Sequence, residues 1–508
     1  PYVRASEANS LEEDWFFQAL VECYLPLLEM LESAASDPAQ QARLTMGISP
    51  TLLSLLADNT LHKRFPSWVQ SRLLLLQQAP SDRKAAAVHL QSCFERYLLS
   101  WQNSNGDLIS RFRALQRQGL LDLLTCGATH GYLPLLREHP EAVRAQLRTA
   151  VREHQRLIGE QPLGIWLPEC AYYEGLDRWM RDAGLRYAVL DGHGLLHAKP
   201  RPRYGVYAPI CSRNGVAFFG RDSDATLPVW SARDGYPGDP AYREFHRDLG
   251  WDLPQEQIES FGLPTQRPLG LKLHRVSDQR APLEAKQPYE PELAQARTTD
   301  HAKHYLEGRR LQLEALEERM DNAPLLVAPF DAELFGHWWF EGPSFLAELF
   351  RQGPEQQVRF TTLRGVLDQQ PNLQICDPSP SSWGQGGFHD YWLNESNAWI
   401  IPEWSRAGRA MKERCSRGVG SEQGLRMLHQ AGRELLLAQS SDWSFILRAG
   451  TTTELARERI HRHLGRFWRL LDALQQPTHD TADFERWLGA LEQEDSLFPT
   501  IEPSDWLP

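Results

Sequence analysis

Five short apolar runs in this chain each end in polar residues. The runs are RLTMGIS (43–49), LLDLLTCGATH (120–130), GIWLPE (164–169), RYAVLDGHG (186–194) and PLLVAPFD (324–331). Short buried strands that alternate with helical segments predict a parallel sheet with crossover helices. In parallel barrels the functional residues lie at the carboxyl ends of the strands, and the polar residues of these runs fall there.

Much of the first third of the chain is predicted to be helical. Residues 11–33 have apolar positions at helical spacing, which predicts an amphipathic helix. Residues 61–120 are predicted to be helical, with breaks at Pro66, Pro80 and the SNGD of 104–107.

The last third has a different character from the middle. Residues 197–300 contain few helical signals and many glycines and prolines, whereas the pattern is helical again from about residue 406. A chain of 508 residues usually forms two or three packed units, so we expect a separate helical domain at this end.

Composition excludes several classes of protein. The net charge of −12 argues against a general nucleic-acid binder. Seven scattered cysteines without CxxC pairs predict reduced thiols in a cytoplasm, and the absence of a run of about 18 apolar residues predicts no transmembrane helix. We expect no cofactor and no catalytic metal, because HExxH is absent and His461 and His463 face different sides of a predicted helix.

Two carboxylates stand at strand ends, Glu169 in GIWLPE and Asp331 in LLVAPFD. Because carboxyl ends of parallel strands share one edge, the two side chains can converge on one cleft. Cleavage of a glycosidic bond requires such a pair. Aromatic neighbours would raise the pKa of the acid that must stay protonated; they are Trp166, Tyr172, Phe330, Phe335, Trp338 and Trp339.

Each acid has an alternative interpretation as the cap of a following helix, and the spacing alone favours neither. Glu333 and Glu341 flank Asp331 and could replace it in this chemical argument. His130, at another strand end, could bond a sugar hydroxyl, stabilise a carboxylate or be structural. His193 and His337 have the same ambiguity, with a structural role favoured.

Tryptophan is the unusual residue, with 17 in the chain. Its ring can stack on a sugar and its N–H can bond a hydroxyl. Residues 381–404 contain Trp383, Trp392, Trp399 and Trp404 among small and polar residues, which favours a polymer-binding platform over packing.

Four motifs resemble glycoside hydrolase family 57, and in particular its 1,4-α-glucan branching enzymes. They are TCGATHGYLPLL, GIWLPECAYY, APFDAELFGHWWFEGP and SSWGQGG…YWLN, in the order of the family. The resemblance implies an α/β fold, a distorted seven-stranded parallel (β/α)7 barrel, formed by residues 1–60 and 109–380. It also implies a helical insertion at 61–108 and a carboxyl-terminal helical domain, 381–508, that contributes to the cleft.

The resemblance further implies that Glu169 is the nucleophile and Asp331 the general acid/base. An α-1,4 bond would be cleaved with retention and the chain transferred to a 6-hydroxyl of an α-glucan. Tyr236 would stand at the tip of a mobile, exposed loop in DGYPGD. The expected substrate-binding residues are His130, Trp166, Tyr236, Trp338, Trp383, Trp392 and Asp442. We expect no membrane partner, and a monomer or weak homo-oligomer.

Two departures from the family pattern affect these expectations. The chain begins at PYVR, so the strand that precedes this motif in the family is absent from the sequence. His274 stands where branching members often have a tryptophan, which predicts a weaker acceptor contact. Alternative functions are a related α-amylase or 4-α-glucanotransferase, or a non-catalytic glucan-binding protein.

Overall fold

The computed structural model describes residues 2–3, 8–37, 39–231, 233–261, 263, 265–370, 372–475 and 482–507. Of the PYVR motif, only Tyr2 and Val3 are among them. The strands are β1 (Leu44–Gly47), β2 (Leu121–Leu124), β3 (Gly164–Ile165), β4 (Tyr187–Leu190), β5 (Ile210–Cys211), β6 (Ala217–Gly220) and β7 (Gln374–Ile375).

Helices make up most of the remaining regular structure. They are α1 (Leu11–Ala19), α2 (Leu25–Ala35), α3 (Pro50–Leu56), α4 (Asn59–Leu76), α5 (Lys84–Asn103), α6 (Leu108–Arg117), α7 (Leu133–Leu136), α8 (Pro140–Ile158), α9 (Leu176–Asp182), α10 (Gly192–Leu196), α11 (Ser223–Trp230), α12 (Leu249–Asp252), α13 (Gln255–Ser260), α14 (Pro291–Glu317), α15 (Gly342–Gln352), α16 (Leu363–Gln369), α17 (Ile400–Arg417), α18 (Glu422–Ala438), α19 (Ser441–Ala449), α20 (Thr453–Ala473) and α21 (Ala482–Glu494).

The strands form a mostly parallel α/β arrangement. β1 pairs with β2, and a second sheet has the order β3-β4-β6-β5-β7, with only the β5–β6 pair antiparallel. A parallel bridge between Thr125 and Ile165 joins the two sheets. The hydrogen-bonded strands of the described residues are therefore two linked sheets, and a closed seven-stranded barrel stays a prediction.

The run at 324–331 differs from its prediction, because it is extended but forms no assigned strand. Its prolines, Pro324 and Pro329, cannot donate to a ladder. The segment still follows the sheet, since the Asp222 N–H donates to Val327 O (2.8 Å). It delivers Asp331 to the same edge as the true strands.

The first helical region is more buried than predicted. α1 and α2 are joined by a π-helix, Leu20–Tyr24, and even the acids Asp14 and Glu22 are buried. Each pairs with a buried arginine of another segment, Asp14 with Arg72 (2.5 Å) and Glu22 with Arg243 (2.8 Å). The predicted helix is confirmed, but its predicted exposed polar face was wrong, because these pairings allow the polar positions to be enclosed.

The predicted break at Pro66 was also wrong, since α4 continues through it. The neighbouring Phe65 and Trp68 are buried against Phe17, and this packing offsets the cost of a proline in a helix. Breaks do occur at Pro80 and at 104–107.

The carboxyl-terminal region is helical as predicted, from α17 to α21. Its first helix begins at Ile400, so residues 381–399 of the expected domain contain no α-helix, and the region includes the unpredicted α19. In the part of the chain that is described, no helix is both long and apolar enough to cross a membrane.

Candidate active site

Three predicted site residues meet beyond the carboxyl ends of the sheet. His130 follows β2, Glu169 follows β3 and Asp331 follows the extended segment at 324–330. His130 Nδ1 lies 3.9 Å from Glu169 Oε1, and the Glu169 charge raises the pKa of Asp331. The structure thus places the two carboxylates close enough for their charges to interact, and the region around them is called the cleft below.

Neither acid caps a helix with its side chain. Glu169 lies in a 3₁₀ turn with φ 61° and ψ 27°, and α9 begins only after Gly175. Asp331 precedes a 3₁₀ turn, but its carboxylate makes no capping hydrogen bond. A positive φ is strained for glutamate, and His130 has it as well (57°). Strain of this kind is kept where surrounding structure enforces a functional geometry.

The surroundings of Glu169 have opposing effects on its charge. Burial raises its pKa above the ordinary value. The nearby His130 and a hydrogen bond from Trp383 Nε1 to Glu169 Oε2 (2.8 Å) act in the opposite direction. The Trp383 backbone N–H also donates to Glu169 O (3.1 Å), so one residue fixes both ends of the glutamate.

The surroundings of Asp331 disfavour its charge more strongly. Burial, Glu333 and Glu169 raise its pKa to about 7, against a smaller opposing effect of Arg221. Within the described residues, no group donates a hydrogen bond to this carboxylate. Asp331 can therefore carry a proton near neutral pH.

The π-helix Leu20–Tyr24 holds the segment that follows Asp331 through two hydrogen bonds. The Cys23 thiol donates to Ala332 O (3.0 Å), and the buried Tyr24 hydroxyl donates to Glu333 Oε1 (2.5 Å). These contacts fix the residues directly after Asp331.

The buried Glu22 anchors the far end of the same segment. It bonds His337 Nδ1 (2.6 Å) as well as Arg243. A Cβ at Gly336, where φ is 117°, would lie 1.6 Å from Glu22 O, so the close approach requires glycine. His337 is thus structural, as favoured by its sequence, and the buried Glu341 accepts from the Tyr289 hydroxyl (2.7 Å) outside the carboxylate pair.

Four indoles line one side of the cleft. Trp383 packs on Trp166 (4.9 Å between ring centroids) and on Trp230 (6.0 Å), and Trp230 meets Trp338 at 6.5 Å. Trp166, Trp338 and Trp383 were predicted from the sequence. Trp338 is 42% exposed and Trp230 38% exposed, so apolar ring surface faces solvent beside the carboxylates.

The platform prediction was wrong for Trp392. This ring is 2% exposed and stacks on Tyr132, with centroids 4.5 Å apart. Gly384 permits the burial, because a Cβ there would lie 2.5 Å from the indole. Trp404 is likewise buried, and Trp399 is half-buried and stacked on His461. The absence of a side chain at Gly384 thus admits the Trp392 ring to the interior.

The expectation of an exposed Tyr236 was wrong as well. Its ring is buried against α14, and its hydroxyl bonds His304 Nδ1 (2.7 Å). A polar partner on the helix satisfies the hydroxyl, which makes this docked position stable. His274 is 2% exposed and offers no surface to a substrate in this structure.

The carboxyl-terminal helices reach the cleft through the start of α19. The Ser441 N–H donates to His130 O (3.1 Å), and Ser441 Oγ bonds His130 Nδ1 (2.7 Å). Asp442 accepts from Ser440 Oγ (2.8 Å) and is near enough for its charge to act on Glu169.

One group with metal-ligand chemistry lies elsewhere. Glu434, His463 and Asp495 place oxygen and nitrogen atoms within 4.8 Å of one another in the carboxyl-terminal region. Arg466 Nη1 lies 2.7 Å from Asp495 Oδ2, and His463 Nδ1 lies 2.7 Å from Glu434 Oε2. These contacts give the group the geometry of an ion-pair network.

Sequence reasoning missed several cleft residues. Arg221, which lowers the pKa of Asp331, follows β6 and pairs with Asp191 (3.4 Å), which follows β4. Both obey the same strand-end rule that revealed Glu169, so the signal was present. His193 bonds this Asp191 (3.0 Å) and is structural. Trp230 had no comparable signal, because it ends the helix α11 and not a strand.

Comparison with known proteins identifies the family of the chain. The sequence model for glycosyl hydrolase family 57 matches residues 1–269, and one for the 1,4-alpha-glucan branching enzyme C-terminal region matches residues 403–506. The 1,4-alpha-glucan branching enzyme of Thermococcus kodakarensis is 31% identical over 99% of this chain and 76% of its own. A probable branching enzyme of Mycobacterium tuberculosis is 28% identical over 96% and 93%.

Solved structures agree with this relationship over the whole chain. The alpha-amylase AmyC of Thermotoga maritima superposes with a TM-score of 0.91 at 35% identity, covering 100% of this chain and 96% of its own. The family 57 branching enzyme of Thermococcus kodakaraensis gives 0.90 at 30% identity, with 100% and 94% covered. The chain therefore belongs to glycosyl hydrolase family 57.

Proposed function

We propose that this protein is a 1,4-α-glucan branching enzyme in which Glu169 is the nucleophile and Asp331 the general acid/base. The observation that carries the proposal is the contrast within one cleft between Asp331, with a pKa near 7, and Glu169, which His130 and Trp383 help to keep ionised. The relatives named as branching enzymes support the reaction type.

The reaction proceeds in two displacements. Glu169 attacks C1 of a donor glucose while Asp331 gives its proton to the departing glycosidic oxygen, which leaves a glycosyl ester on Glu169. The Asp331 carboxylate then takes the proton of an acceptor 6-hydroxyl, whose oxygen displaces Glu169 at C1. Two inversions retain the α-configuration and form an α-1,6 bond, with Asp331 protonated again.

Substrate contacts follow from the cleft. His130 and Asp442 flank Glu169 and would bind hydroxyls of the donor, while Trp166, Trp338 and Trp383 would form its apolar wall. Tyr236 and Trp392 are not part of this proposal, because both rings are buried here.

The proposal extends to the fold and setting of the enzyme. A seven-stranded barrel is supported by the pairing of the 324–330 segment with residues beside β6. The net charge of −12 and seven unpaired cysteines support a cytoplasmic enzyme of glycogen- or starch-like polymer synthesis.

An α-amylase is the second candidate, favoured by the 35% identity to a structure named as one. It would use the same carboxylates with water as acceptor. A non-catalytic glucan-binding protein is disfavoured, because such a protein gains nothing from a protonated aspartate beside a strained glutamate.

Incubation with linear amylose separates these candidates. Branching predicts a falling iodine colour, few new reducing ends and new α-1,6 linkages in the product. Reducing ends that equal the bonds cleaved, without α-1,6 linkages, would establish hydrolysis instead. If the wild type shows no glucan turnover that Glu169→Ala abolishes, only the glucan-binding protein remains as a candidate.

A further inference from the structure

Trp230 is an exposed indole held at the end of a helix. It is the last residue of α11, where the Ser231 N–H donates to Leu227 O (3.3 Å) and the Gly235 N–H to Ser231 O (2.9 Å). These bonds fix the backbone on both sides of the ring. Trp230 therefore has a defined position, although 38% of the residue faces solvent.

The Trp166 and Trp383 rings have less free surface than Trp230 for binding a ligand. The Trp383 N–H donates a hydrogen bond to Glu169. Trp166 packs against Trp383, and both rings are part-buried. Trp230 and Trp338 meet at 88° and form a corner, and the Trp230 N–H has no hydrogen-bond partner among the described residues. Leu227, one turn earlier on α11, is 64% exposed and extends the apolar surface.

The position of this corner assigns it to one side of the scissile bond. His130 and Asp442 lie on the Glu169 side, where the donor sugar becomes covalently attached. Trp230 contacts Trp383, which bonds Glu169, but its exposed corner is formed with Trp338, which belongs to the segment that carries Asp331. The acid/base faces the leaving group and then the acceptor, so this corner lies beside the acceptor path.

We propose that Trp230, with Trp338, forms an acceptor subsite that stacks on a glucose ring of the incoming α-glucan. The apolar face of the sugar would cover the exposed indole, and the free N–H would bond a ring hydroxyl. Occupation of the subsite also displaces water from the acid/base, which favours transfer over hydrolysis. The inference rests on the proposed function of the same cleft.

The test compares Trp230→Ala and Trp230→Phe with the wild type on amylose, counting α-1,6 linkages formed for each α-1,4 bond cleaved. We expect Trp230→Ala to lower this ratio about tenfold, the size of one stacking contact, and Trp230→Phe to keep most of it. Trp251→Ala is the matched control, because Trp251 is 52% exposed on α12 and makes no ring contact with the wall. An unchanged ratio in Trp230→Ala would overturn the inference.

A binding measurement separates failure of the inference from failure of the proposed function. In a Glu169→Gln background, adding Trp230→Ala should weaken maltoheptaose binding about tenfold, whereas adding Trp251→Ala should not. If the wild type forms no α-1,6 linkages, branching fails, yet this loss of affinity would still support the subsite. Equal affinity in the presence and absence of the Trp230 indole would refute it.

Discussion

The segments around Glu169 and Asp331 bring carboxylates to one cleft, but the first stabilises a negative charge on its carboxylate and the second disfavours it. At Glu169, Trp383 donates a hydrogen bond and His130 lies 3.9 Å away. At Asp331, no hydrogen bond from the described residues reaches the carboxylate, and Glu333 adds repulsion. Two acids with similar ordinary pKa values thereby become a nucleophile and a proton donor, so the neighbours and not the residue type assign the roles.

The backbone conformation at Glu169 also differs from that at Asp331. Glu169 is held in a strained conformation by contacts to its own backbone and side chain. Asp331 is extended and unstrained, and the π-helix fixes the residues that follow it. The first segment is positioned at the residue itself, and the second is positioned through its neighbours.

Removal of either carboxylate should have the largest effect. We expect Glu169→Ala and Asp331→Ala each to lower amylose turnover by about 10³-fold or more, because each step of the reaction uses both groups. Glu174→Ala, an exposed change five residues from Glu169, is the control and should leave turnover intact. Substantial turnover by Glu169→Ala or Asp331→Ala would show that the two carboxylates are not the catalytic pair.

The comparison also predicts a gain in stability. Ionisation of Asp331 occurs at its ordinary pKa in the unfolded chain but only near pH 7 in the fold, so its charge opposes folding above that ordinary value. Asp331→Asn should therefore raise the free energy of unfolding by roughly 4 kcal/mol at pH 8 and by little at pH 4. Thermal unfolding at the two pH values measures this, and equal shifts would contradict the raised pKa.

The smallest expected effect is on the pH profile. Glu333→Gln removes a repelling charge, so the pKa of Asp331 and the alkaline limb of kcat/KM should fall by roughly one pH unit. Arg221→Gln removes an attracting charge and should move the same limb upward. Shifts in the same direction would show that Asp331 does not govern this limb.

The sequence contained the framework of the site. Strand ends were recognisable as apolar runs that stop at polar residues, so the convergence of His130, Glu169 and Asp331 was predictable. Arg221 and Asp191 obey the same rule, although their role required the neighbouring strands to be known.

Other features depend on packing between distant segments and had no local signal. Trp392 is buried because Gly384 leaves room for its ring, and Tyr236 because His304 meets its hydroxyl from another helix. The support of Asp331 by a π-helix more than 300 positions away is equally invisible in the residues around it. Composition and spacing describe neighbours in the chain, whereas these contacts join separate parts of it.

Trapping of the covalent intermediate tests the assigned roles most directly. Fluoride leaves without a proton, so Asp331→Ala should still transfer the sugar of α-maltosyl fluoride to Glu169, but it lacks the base for the second step. Mass spectrometry of the digested protein should find one maltosyl group on the peptide that contains Glu169. A maltosyl group on a different residue, or turnover of the fluoride with no adduct on Glu169 and with inverted product, would contradict the account.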